Sequence, residues 1–284
     1  MKARFSLFLL WLQLVGLMAP MGWAQDSGTT SQSIRVKDGY LVITTGSIGD
    51  LNNLSFLLDT GTSRTLLDAR IAKQLRLARV AHRLTVFDHE VEVKLVTLPE
   101  LRLGAIQAQF PQVIATDLSG VAQRFGLHVD AVIGMDILRL RNFGIDYHFK
   151  RIWFDPEEPT ATALASATRG QPYLIVRASI DDFPVALMID TGCEDVILFR
   201  NRLPNGLRMD YPLPSRALTI AGEAPLEQIA SGKLALGVSP AHKMRFHIIE
   251  TGNNDMGYDG ILGVRALRAS QIHFNFDQST VSWR

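Results

Sequence analysis

A single cysteine, Cys193, stands among 284 residues, so the chain can form no internal disulfide. A chain of this length buries a core without one. No second thiol is present to pair at a zinc site. The seven histidines (82, 89, 128, 148, 242, 247 and 273) show no His-x-x-x-His or comparable ligand spacing. They are expected at the surface or in turns, and no metal or cofactor is expected. Neither sign of charge dominates, with 29 Lys and Arg against 28 Asp and Glu. No basic cluster marks a nucleic-acid surface, so no nucleic acid is expected as a partner. Helical periodicity is confined to "DARIAKQLRL" (68–77), where Asp68 is placed to cap, and to "GVAQRFGL" (120–127).

Long apolar runs are missing except at the start. Lys2 and Arg4 precede an apolar run from Phe5 to Ala19, and Gly22-Trp23-Ala24 supplies small residues before Gln25. This is the layout of a signal peptide over 1–24, with cleavage after Ala24, although an uncleaved anchor has the same layout. The run is short of the roughly 20 residues a membrane span needs. The expectation is an exported protein, periplasmic or secreted, with no stable span once the leader is removed. Residues 25–34 are polar and are expected to be disordered.

The remainder is written twice. "FLLDTGTSRTLL" (56–67) answers "LMIDTGCEDVIL" (187–198), and "DAVIGMDIL" (130–138) answers "DGILGVRAL" (259–267). "GYLVITTGSI" (39–48) answers "PYLIVRASI" (172–180), "ELRLG" (100–104) answers "KLALG" (233–237), and "IDYHFKRIWF" (145–154) answers "FNFDQSTVSW" (274–283). Asp59 and Asp190 are 131 apart (190 − 59), and Gly134 and Gly263 are 129 apart (263 − 134). Five landmarks in one order at a near-constant offset describe an internal duplication. The reading is an N-terminal lobe over 35–154, a linker over 155–171 rich in Pro, Ala, Thr and Ser, and a C-terminal lobe over 172–284. Short runs rich in Val, Ile, Leu and Thr between turn residues make both lobes mostly β.

Each copy of Asp-Thr-Gly follows an apolar strand, and 75 (134 − 59) or 73 (263 − 190) residues later comes an apolar pair and Gly: Val132-Ile133-Gly134 and Ile261-Leu262-Gly263. One isolated Asp-Thr-Gly could be only a turn. The paired arrangement resembles the aspartic peptidases, both the two-lobed pepsin-like enzymes and the retroviral-type enzymes built of two small subunits. The resemblance covers nearly all of 35–284. It implies an all-β fold of two homologous, pseudo-two-fold-related, β-barrel-like lobes with a few short helices, the acid-protease fold. It implies further that Asp59 and Asp190 form a catalytic pair, and that Thr60 and Thr191 lock the loops across the lobe interface. Gly61 and Gly192 would admit close backbone approach. The implied activity is that of an aspartic endopeptidase on peptide or protein substrates, acting as a monomer whose own lobes pair. A scaffold or peptide-binding protein that keeps the fold without turnover, and a homodimer of doubled chains, are the other arrangements compatible with the pattern.

The two loops differ. In "DTGTS" Thr62 could hydrogen-bond Asp59, whereas in "DTGCED" Cys193 is a weaker donor, which would leave the shared proton on Asp190. As a buried small residue Cys193 needs no chemical role. Ser63, Glu194 and Asp195 are candidates for holding substrate, with Arg265 as a partner for the acidic pair; a solvated acidic turn is the alternative. The substrate-covering hairpins fall near 84–93 and 218–227, giving Phe87 and Gly222 as further candidates. The first hairpin has no Tyr, since none occurs between Tyr40 and Tyr147.

Overall fold

The computed structural model describes residues 6–7, 30–86, 89–155, 163–166, 172–203, 215–219, 222–237, 239–251 and 257–284. Phe87 and, apart from Ser6 and Leu7, the leader lie outside the described residues. Among the described residues no helix is long and apolar enough to cross a membrane.

Two sheets follow one plan. In the first, Leu41–Ile48 pairs antiparallel with Leu51–Leu58, which runs parallel to Ala131–Ile133. That short strand pairs antiparallel with Leu66–Asp68, itself parallel to Gln112–Thr116. In the second, Ile175–Ile180, Phe183–Asp190, Gly260–Gly263, Val196–Phe199 and His242–Ile249 repeat the same order and sense. The central strands are apolar without alternation because both of their faces are covered: Phe56 to Leu58 and Leu187 to Ile189 are fully buried. One carboxylate braces the base of each unit. The Ser55 N–H donates to Asp130 Oδ2 and the Ala186 N–H to Asp259 Oδ2, each at 2.8 Å.

A third sheet of six strands joins the halves. Its order is Ala163–Ser166, Thr280–Trp283, Gln271–Asn275, Phe143–Asp146, Arg151–Phe154, Thr30–Ser33. The junction is antiparallel, with Phe143 opposite Phe274 and Ile145 opposite Ile272. The rings of Phe143 and Phe274 stack at 4.7 Å, and Ile152, Phe154 and Val281 complete a buried inner face. The repeated segments 145–154 and 274–283 thus contribute to one shared sheet.

Two expectations are corrected here. The polar stretch read as disordered contributes Thr30–Ser33, paired with Arg151–Phe154, and the stretch read as linker contributes Ala163–Ser166, paired with Thr280–Trp283. Both sit at sheet edges, where main-chain bonding to the neighbour does not depend on apolar side chains. The histidines are not all at the surface either, because His247 and His273 are buried within strands.

Among the described residues helix is limited to short pieces. Ala69–Gln74 is capped by Asp68, whose carboxylate accepts the Arg70 N–H at 2.8 Å. Ser119–Phe125 ends on Gly126, whose φ of 62° is the left-handed conformation that glycine adopts without strain. Met135–Leu138 follows Gly134 and packs beside the first Asp-Thr-Gly loop.

Candidate active site

The strands Leu51–Leu58 and Phe183–Asp190 deliver the two Asp-Thr-Gly loops to one place. Thr60 and Thr191 make four hydrogen bonds across the interface there. The Thr60 N–H donates to Thr191 Oγ1 and the Thr191 N–H to Thr60 Oγ1, both at 3.0 Å. Each hydroxyl then donates across the interface at 2.9 Å, Thr60 to the Ile189 carbonyl and Thr191 to the Leu58 carbonyl. Every member is buried, so the network is held in a low-dielectric setting where its loss would leave donors orphaned.

Within this frame Asp59 and Asp190 are fully buried and face each other. Each carboxylate lies over the opposite glycine: a Cβ on Gly61 would sit 2.3 Å from Asp190 Cγ, and one on Gly192 would sit 2.9 Å from Asp59 Cγ. Only glycine permits this approach. Asp59 Oδ1 accepts the Gly61 N–H at 2.8 Å and Asp190 Oδ1 accepts the Gly192 N–H at 2.7 Å. Among the described residues no N–H or O–H donor reaches Oδ2 of either acid. A proton shared between the carboxyls is the donor that remains.

Burial raises both acids. Asp59 is pushed well above the usual carboxylate range by desolvation, and further by the charge of Asp190 and the hydrogen bond between the two acids. Asp190 is raised by desolvation to about 6, held lower by its bond from Asp59 and by the N–H groups of Gly192, Cys193 and Gly61. Asp59 has backbone donors only from Gly61 and Thr62. The sequence-based expectation placed the shared proton on Asp190. That expectation relied on the Thr62 hydroxyl, which instead donates to the Arg64 carbonyl at 3.3 Å. The Cys193 thiol makes the same bond to the Asp195 carbonyl at 3.2 Å. Thr62 and Cys193 are thus equivalent struts inside their loops.

The apolar-apolar-Gly segments close beneath the loops. The Asp59 N–H donates to the Ile133 carbonyl and the Gly263 N–H to the Asp195 carbonyl, each at 3.0 Å. A Cβ on Gly134 would lie 2.8 Å from the Arg64 carbonyl carbon, and one on Gly263 would lie 2.5 Å from the Asp195 oxygen. Beyond these glycines the halves use different chemistry. Asp136, two residues after Gly134, accepts the Thr65 N–H at 2.9 Å and the Thr65 hydroxyl at 2.7 Å. Thr65 Oγ1 in turn accepts the Gly134 N–H at 3.1 Å. At the matching position, two residues after Gly263, Arg265 forms an ion pair with Glu194. Asp195 lies 3.4 Å from His247 Nε2.

Asp136, Thr65 and His247 were absent from the sequence-derived site. The available signal was the repeat register itself, which aligns Asp136 with Arg265 and so marks a position where both halves carry a charged group. Ser63 contributes its carbonyl, which accepts the Asp136 N–H at 3.2 Å. Gly222 begins the long strand Gly222–Leu236 opposite Thr219, at the end of a hairpin.

The doubled sheets and the bonded loop pair define an aspartic-peptidase-like fold. Residues 44–137 match the family model described as aspartyl protease. The whole chain is similar in fold to basic 7S globulin from soybean, with a TM-score of 0.50 at 11% identity over 90% of this chain and 94% of the globulin. No curated protein matches the sequence.

Proposed function

We propose that the chain is an aspartic endopeptidase that hydrolyses peptide bonds with Asp59 and Asp190 as its catalytic pair. The observation that carries this reading is the pair of fully buried Oδ2 atoms that no N–H or O–H donor among the described residues reaches, set over two glycines that bring no side chain of their own. Burying two acids together is unfavourable unless they share a proton. That half-protonated state is the one acid–base hydrolysis needs. Asp190, ionised, takes a proton from water as the water attacks the carbonyl carbon. Asp59, protonated, donates to the carbonyl oxygen, and the leaving nitrogen is then protonated in turn. Glu194, Asp195 and Ser63 are proposed to border the bound peptide from the loops that flank the pair. The leader supports export to the periplasm or beyond, and pairing of Thr60 with Thr191 within one chain supports a monomer.

Incubating the full chain with a mixed peptide library between pH 3 and 8, and reading new termini by mass spectrometry, tests the proposal. New termini from the wild type that vanish with Asp59→Asn and with Asp190→Asn, both remaining folded, are the expected outcome. Peptides retained by the protein but left intact would favour the binding protein instead.

A further inference from the structure

The shared six-stranded sheet ends in a surface that the overall charge balance conceals. The turn between Phe143–Asp146 and Arg151–Phe154 carries His148, Phe149 and Lys150, all exposed, with Phe149 67% exposed. Three other chain segments meet this turn. The Ile34 N–H donates to the Lys150 carbonyl at 2.9 Å, which brings exposed Arg35 alongside. The Tyr147 N–H donates to the Ser270 carbonyl at 2.9 Å, and the Ser270 N–H donates to the Arg284 carbonyl at 2.8 Å. Exposed Arg268 and Arg284 therefore lie, with Arg35, Lys150 and Arg151, on segments that meet at the turn carrying this protruding aromatic ring.

Acidic side chains offset only part of this charge. Asp146 is fully buried; its oxygens accept the Phe149 N–H at 2.7 Å and Gln271 Nε2 at 2.6 Å, and its Oδ2 lies 3.8 Å from Arg151 Nε, so Arg151 is matched. Asp38 is exposed, but it lies 3.5 Å from Lys37 Nζ and is matched by it. Asp155 and Asp277 belong to the opposite end of the sheet, where Asn142 bonds both the Asp155 N–H and the Asp277 carboxylate.

The ring is also held in place. The Arg151 guanidinium sits 5.5 Å from the Phe149 ring centroid and 5.9 Å from that of Trp153. Trp153 lies flat across the sheet because Gly144 beneath it has no side chain: a Cβ there would be 2.4 Å from the indole. His148 meets Phe149 edge-on at 4.7 Å. A stack of Trp153, Arg151 and Phe149 thus presents an apolar ring to solvent inside a ring of cations.

We propose that this end of the shared sheet docks on an anionic lipid surface, with Phe149 entering the headgroup layer and Arg35, Lys150, Arg268 and Arg284 facing lipid phosphates. A bilayer fits better than duplex DNA because the centre of the patch is an exposed apolar side chain, which a stacked duplex cannot bury and a lipid interface does. The surface lies on a different sheet from the Asp59–Asp190 pair, so docking leaves the loops unobstructed by the same residues.

Sedimentation of the full chain with vesicles of phosphatidylcholine, with and without a third of phosphatidylglycerol, tests the assignment. The apolar run at 5–19 acts equally in every variant, so the comparison between variants isolates the patch. Lys150→Glu combined with Arg268→Glu should weaken binding to the anionic vesicles by about 25-fold or more, at roughly fivefold per cation removed. Phe149→Ala should weaken it by about tenfold. Neither should change binding to pure phosphatidylcholine, and 0.5 M salt should erase the effect of the charge changes. Variants that bind anionic vesicles as the wild type does would overturn the proposal. So would a Phe149→Ala protein with undiminished vesicle binding whose charge-reversed counterpart loses affinity only for duplex DNA, since that marks a general polyanion surface.

Discussion

At the scale of single residues, the two Asp-Thr-Gly loops are less alike in sequence than in structure. Thr62 and Cys193 differ in chemistry, yet both donate to the carbonyl two residues on. Cys193→Ser should therefore leave both limbs of the pH–activity profile in place, because the side chain does not address the carboxylates; a displaced limb, measured on any cleaved peptide, would contradict this geometry. The pair titrates as a unit. Its rate should climb as Asp190 ionises near 6 and fall once Asp59 ionises at higher pH. The same shifts set a sign for stability. Both acids bind protons more tightly folded than unfolded, so their contribution is fully present below the ordinary carboxylate range near 4 and is lost as pH rises through about 6 and beyond. Calorimetry should show the wild-type Tm declining from pH 4 to pH 7, and a shallower decline for Asp190→Asn. The Asp-Thr-Gly motifs named the acids in advance. Which of them holds the proton was not legible, because the side chains that differ between the loops, Thr62 and Cys193, bond loop carbonyls rather than the carboxylates.

Elements show a second division. The loop of the first half is tied to the helix Met135–Leu138 through half-buried Asp136 and buried Thr65, bonded at three points. The loop of the second half is tied through Glu194 and Arg265, whose side chain is 51% exposed. Asp136→Ala leaves the Thr65 N–H without its partner in a buried place, and should cost about 1–3 kcal/mol in urea unfolding. Arg265→Met should cost about 1 kcal/mol or less, and 0.5 M salt should bring it level with the wild type. Equal costs, or a salt-insensitive Arg265 variant, would show that the two ties are of one kind. Apolar runs and their turns identified the central strands, since burial on both faces writes itself into composition. Thr30–Ser33 and Ala163–Ser166 left no such trace, because edge strands of polar or small residues owe their place to main-chain bonds with a neighbour remote in sequence.

For the whole molecule, duplication in the sequence foretold two similar halves, but the repeat alone did not join them. Hairpins that read as separate features of each half form one sheet, with Phe143 against Phe274. The basic surface around Phe149 was hidden for a similar reason: its cations come from residues 35, 150, 151, 268 and 284, dispersed along a nearly neutral chain. Catalysis on this account is likewise a property of the joined halves, since each contributes one acid and neither acid is half-protonated without the other. Kinetics of Asp59→Asn, Asp190→Asn and the double variant on one cleaved peptide test that directly. Groups that act as a unit are not additive. Each single substitution should lower kcat/KM by about a thousandfold or more, and the double variant should be no worse than the poorer single. Losses that multiply in the double variant, or one acid that can be replaced without loss, would contradict a shared catalytic pair.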